Sequence, residues 1–135
     1  MPWVTLPPGL ESPRTARAFV QTWLDAWGLE HLAPAAALVT SELATNAALH
    51  TGLEFDVGIE SQRDAVRIAV RDRVEVAGAE LAARDAEPDE THGRGLSIVN
   101  VVCTDWGSTP RPDGKEVWCE LPSTPSGGST SGARW

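Results

Sequence analysis

The run Phe55-Asp56-Val57-Gly58-Ile59-Glu60-Ser61-Gln62-Arg63-Asp64-Ala65-Val66-Arg67-Ile68-Ala69-Val70-Arg71-Asp72 alternates apolar and polar residues twice. Phe55, Val57 and Ile59 fall on one face of a first strand, with Asp56, Gly58 and Glu60 on the other. Ser61 to Asp64 is a short polar link, and Val66, Ile68 and Val70 share one face of a second strand. A side-chain period of two means that each strand buries one face, and so short a link lets the two pair only as an antiparallel hairpin. Strands joined by hairpins predict an α/β fold of the two-layer kind: a mixed, mainly antiparallel sheet with helices on one face.

The flanking elements extend this reading. Trp3 to Leu6 is a short strand stopped by Pro7-Pro8-Gly9. Ser12-Pro13 reads as an N-cap followed by a proline in the first helical turn, and Ala16, Phe19, Val20, Trp23, Leu24 and Trp27 follow at helical spacing until Gly28. A second helix is predicted from about Ala33 to His50, closed by Thr51-Gly52. From Arg73 to His92 the periodicity dissolves into a link with six acidic residues and two arginines, long enough to be functional or mobile. Gly93-Arg94-Gly95 opens a further helix bearing Leu96, Val99 and Val102. Trp106 starts a strand, Pro112-Asp113-Gly114 turns, and Val117, Cys119 and Leu121 alternate in a last strand. The expected organisation is one domain over residues 1–121 and a Ser, Gly and Pro-rich disordered tail over 122–135.

Composition bounds the partners. With 41% hydrophobic and 22% charged residues the chain is ordinary globular material rather than disordered. A formal charge of −8 and no basic stripe exclude phosphate-driven binding to nucleic acid. No apolar run is long enough for a membrane helix, and the N-terminal residues lack a signal-peptide pattern. Cys103 and Cys119 show no framework or metal spacing and read as small buried thiols of a reducing cytoplasm.

Polar residues at core positions carry the functional reading. At 100° per residue the second helix has an apolar arc through Ala35, Val39, Leu43 and Ala47, with Leu38 and Leu49 on its flank. Glu42, Asn46 and His50, four residues apart, fall inside that arc. Either they meet polar partners there, because burying them alone is costly, or the helix is rotated and they face water. Its other side is only Ala, Ser and Thr, so periodicity leaves both rotations open. Asp72 continues the series Val66, Ile68, Val70 on the core-facing side of its strand. Gly93-Arg94-Gly95-Leu96 sits at a helix start, where backbone N–H groups favour an anion.

Glu42-Leu43-Ala44-Thr45-Asn46-Ala47 on a helix, Asp72 at a strand end and Gly93-Arg94-Gly95-Leu96 after a long loop resemble, as an ordered set, the ATP-binding boxes of the Bergerat-fold (GHKL) ATPases. Leu38-Val39-Thr40-Ser41, Ala47-Ala48-Leu49-His50, Gly95-Leu96-Ser97-Ile98-Val99 and Gly114-Lys115-Glu116-Val117-Trp118 bring the chain nearer to the small stand-alone branch, the anti-sigma-factor serine kinases. The resemblance implies that Asn46 ligates Mg²⁺, that Glu42 orients or deprotonates the nucleophile, and that Asp72 accepts a hydrogen bond from the adenine amino group. It implies that Gly93, Arg94, Gly95 and Leu96 close over the phosphates of ATP. His50 reads rather as a helix-end residue. The glycine that family members often carry shortly after the adenine-binding Asp is missing from Asp72-Arg73-Val74-Glu75-Val76.

By the same resemblance the chain is expected to be a cytoplasmic ATP-binding regulator that holds a sigma factor and phosphorylates an anti-anti-sigma antagonist on serine. The alternative is a non-catalytic module of the same fold that sequesters a protein partner. The family often forms homodimers, and Trp118, between Glu116 and Glu120 on the outward face of the last strand, is a candidate contact, or else a shield for its own sheet.

Overall fold

The computed structural model describes residues 1–73 and 102–123, with His50 described through its backbone alone. The elements in chain order are β1 (Trp3–Leu6), α1 (Ser12–Ala26), a 3-10 turn (Glu30–Leu32), α2 (Ala33–Thr51), β2 (Phe55–Ser61), β3 (Ala65–Arg73), β4 (Asp105–Arg111) and β5 (Gly114–Pro122). The strands form one sheet in the order β1-β2-β3-β5-β4, and every neighbouring pair in it is antiparallel. Together with the two helices it is an α/β sandwich. The hairpin expected from the two alternating runs is β2–β3, with Phe55 opposite Asp72 and Val57 opposite Val70.

The core lies between sheet and helices. Val20 and Leu24 of α1, Val39 and Leu43 of α2, and Phe55, Val57, Ile59, Val66, Ile68, Cys119 and Leu121 of the sheet are buried in one cluster. Each such side chain contributes about 1.5–3 kcal/mol by leaving water. Helix α1 begins at Ser12, but Glu11 is its cap residue and makes no side-chain cap bond. The Ser12 hydroxyl instead donates to the Pro7 carbonyl, tying the turn after β1 to the helix start. Helix α2 stops at Gly52, whose φ of 68° is the left-handed conformation that glycine adopts without a steric penalty.

One expectation is corrected. Cys103 and Cys119 are not separate thiols: they form a disulfide across a sequence separation of 16, pinning the entry to β4 onto the core face of β5. Spacing alone could not show this, because the pairing depends on β4 folding back along β5, where Trp106 lies opposite Cys119. The last strand also runs to Pro122, opposite Ala65, and the Ser123 N–H donates to the Asp64 carbonyl at 3.0 Å. Among the described residues no helix is long and apolar enough to cross a membrane.

The other face of the sheet carries no helix among the described elements. Its middle row is Trp3, Gly58, Ala69, Trp118 and Gly107, each opposite the next. A Cβ at Gly58 would lie 2.6 Å from the Trp3 ring, and one at Gly107 would lie 2.8 Å from Trp118. The glycines are therefore seats for the indoles. Arg71 stacks on Trp3 at 4.1 Å and Arg67 on Trp118 at 4.2 Å. Both arginines pair with Glu116, and Arg67 also reaches Glu120 at 3.2 Å. Trp118 thus shields its own sheet. The two edge strands are blunted: β1 has four residues between Pro2 and Pro7, and β4 contains Pro110.

Candidate functional site

Helix α2 settles the rotation that periodicity left open. Its buried positions are Ala36, Val39, Thr40, Leu43, Ala44 and Ala47, while Ala35 is only half-buried. Leu38 and Leu49 are exposed at 43% and 74%. The arc is thus turned from the one drawn through Ala35, because a threonine and two further alanines count as core. Glu42 and Asn46 lie neither inside that arc nor out in water: both are half-buried, one turn apart along its edge. The edge of a buried face is where polar side chains can reach a ligand without losing all their hydration.

Asp72 lies on the core-facing side of β3, as its place in the alternation requires, and is only 5% exposed. Its position in the sheet relates it to α2. The chain leaves α2 at Gly52 and re-enters the sheet at Phe55, directly opposite Asp72. Asp72 therefore stands at the end of the sheet toward which the Glu42–Asn46 row runs.

The carboxylate is gripped by β5. Asp72 Oδ1 accepts the backbone N–H of Lys115 at 3.0 Å, and Oδ2 lies 3.0 Å from Lys115 Nζ. The residues face each other in register. This close approach depends on Gly114, where an added Cβ would come within 2.1 Å of the Asp72 carbonyl oxygen. Lys115 was not assigned a role from the sequence, yet it shares a strand face with Val117, Cys119 and Leu121. A charged residue in that series is the same signal that exposed Asp72.

The loop residues Gly93, Arg94, Gly95 and Leu96 lie outside the described residues, as does the side chain of His50. Within the described residues, then, the fold sets a carboxylate and an amide along one edge of α2, and a buried carboxylate at the end of β3. No group of three or more His, Cys, Asp or Glu side chains gathers among them to hold a metal ion unaided. The Asn46 amide oxygen is a hard donor of the kind Mg²⁺ accepts alongside phosphate oxygens and water. Asp72, with about four lone-pair positions and two of them used among the described residues, keeps acceptor capacity for a base amino group. The donor set fits Mg·ATP.

A family model described as a histidine kinase-like ATPase domain matches residues 6–120. Curated proteins give no match.

Proposed function

Since this chain belongs to the histidine kinase-like ATPase domain family, an ATP-binding family, we propose that it is an ATP-dependent protein serine kinase of the anti-sigma type. Its acceptor would be a serine on a protein antagonist, and its second partner a sigma factor. The observation that carries the reading is the Glu42–Asn46 row: a carboxylate and an amide one turn apart on the half-buried edge of α2, toward the strand end that holds Asp72.

Each residue has a definite task in this reading. Asp72 accepts the adenine amino group. Asn46 holds the metal, which when bound screens the charge on the phosphates. Glu42 takes the proton of the acceptor serine hydroxyl as its oxygen bonds to the γ-phosphorus and the bond to the β-phosphate oxygen breaks, leaving ADP and phosphoserine. A base must lie within hydrogen-bond reach of that proton, and the one-turn offset from Asn46 supports a role for Glu42 at the same phosphate. Gly93, Arg94, Gly95 and Leu96 are assigned to the phosphate loop. The cytoplasm, where ATP and sigma factors meet, is the proposed compartment.

Transfer of labelled phosphate from ATP to candidate antagonists, with parent protein and Glu42→Ala, tests the proposal. Loss of the base should lower transfer about 10²–10⁴-fold while ATP affinity is kept or improved, because a carboxylate beside the triphosphate is removed. Equal transfer by both proteins would sink the assignment of Glu42. A parent that binds an antagonist and ATP but transfers nothing would show a binding module.

A further inference from the structure

We infer that the base-recognition element of this chain is the ion pair Asp72–Lys115 rather than a lone carboxylate, and that it therefore takes either purine nucleotide. The inference rests on the nucleotide-site reading given above and concerns which base that site accepts.

A carboxylate by itself offers only acceptors. It suits the adenine amino group and confronts the guanine carbonyl with lone pair against lone pair. Here the carboxylate does not stand alone. Lys115 Nζ lies 3.0 Å from Asp72 Oδ2, and the two side chains differ in exposure: 24% for Lys115 against 4% for Asp72. Lys115 is the more exposed partner of the pair. Among the described residues one of its three N–H donors is used, by Asp72, and two are left to offer. The buried carboxylate is meanwhile fixed by the Lys115 backbone N–H and cannot swing away.

The pair thus presents an acceptor and a donor side by side. The Watson–Crick edge of adenine carries an amino donor next to the N1 acceptor, so Asp72 takes the first and Lys115 serves the second. The same edge of guanine carries the O6 acceptor next to the N1–H donor, and a base shifted along the pair, so that O6 meets Lys115 and N1–H meets Asp72, satisfies these in the opposite order. Lysine is a common partner of guanine O6 where proteins read bases directly. Either purine thus finds both an acceptor and a donor on the pair, with the guanine 2-amino group lying beyond it, so the pair itself builds in no strong discrimination. The negative charge that would repel the guanine carbonyl is also neutralised in place.

Calorimetric titration of the full chain with ATP, GTP and CTP, each with Mg²⁺, tests this. For the parent, ATP and GTP dissociation constants are expected within about tenfold of each other, with CTP much weaker. Lys115→Met removes the donor and should widen the preference for ATP by a further tenfold or more, chiefly through loss of GTP, a change of the size a mismatched base edge produces. Lys115→Arg keeps a cationic donor and should restore the parent ratio. Should Lys115→Met fail to fold by circular dichroism, Lys115→Thr, too short to reach a base, reads the same ratio. A parent that binds ATP and rejects GTP by more than a hundredfold overturns the inference and leaves the ATP site standing. An unchanged ratio in a folded Lys115 variant also overturns it. A folded parent that binds neither purine removes the nucleotide site itself, and the inference with it.

Discussion

Asp72 and Thr40 are polar residues of the helix-facing side whose circumstances differ. Asp72 spends its burial on two bonds to Lys115. Thr40 is fully buried on α2, and among the described residues its Oγ1 has no partner. An unmet buried hydroxyl costs about 1–3 kcal/mol. Thr40→Val, which keeps the branched shape, should therefore raise the unfolding free energy by about 1 kcal/mol, read as a higher urea midpoint at an unaltered slope. Asp72→Asn should do the reverse, costing about 2 kcal/mol in the same assay, because Lys115 loses a charge partner inside a largely buried pair. It should also weaken ATP binding in calorimetry. Asp72 was legible because a period of two has no tolerance: one acidic residue in a row of valines and isoleucines is conspicuous. Lys115 stands in the same kind of series on β5, one residue after the turn at Gly114. Its role appears only once β3 and β5 are paired.

At the scale of elements, the strands could be read from the sequence and the helix orientation could not. Alternation puts a residue on one face or the other, so β2 and β3 followed from Phe55 to Asp72 alone. A helix rotates continuously, and α2 is rich in alanine and threonine around its whole circumference. Only contact with the sheet shows that Ala36 and Thr40 face inward and that Glu42 and Asn46 lie along the edge. The disulfide was illegible for a related reason: it depends on which strand lies beside which. Closing a loop over the 16-residue separation of Cys103 and Cys119 should stabilise the domain by about 3 kcal/mol by restricting the unfolded chain. Urea unfolding of the oxidised protein and of Cys103→Ser should differ by that amount, and a reductant should bring the parent down to the variant.

Taken whole, the molecule has one face covered by helices and another protected by its own side chains. Arg73 belongs to that second face. Partial burial works against its charge, but hydrogen bonds and charge pairing with Asp56 and Glu54 prevail and raise its pKa, so it is cationic at every working pH. The indole seats make the face sensitive to small changes. Gly58→Val should lower the melting temperature by several degrees, since Trp3 must leave its place under Arg71. If Mg·ATP occupies only the folded state, it should stabilise that state by mass action, by about 2.7 kcal/mol at a hundredfold excess over its dissociation constant, and so raise the melting temperature. A thermal melt at millimolar Mg·ATP checks this, and an unshifted melt would contradict it.

The prolines at the rims of the sheet bear on how this protein meets others. A foreign strand joins a sheet by completing a row of unpaired backbone donors and acceptors along its edge. Here one edge is four residues long between Pro2 and Pro7, and the other is broken at Pro110, which has no N–H to give. The sheet cannot readily be lengthened from either side. A domain so closed should stay free of fibrils when concentrated, and a protein that meets it would dock through side chains rather than knit into its backbone.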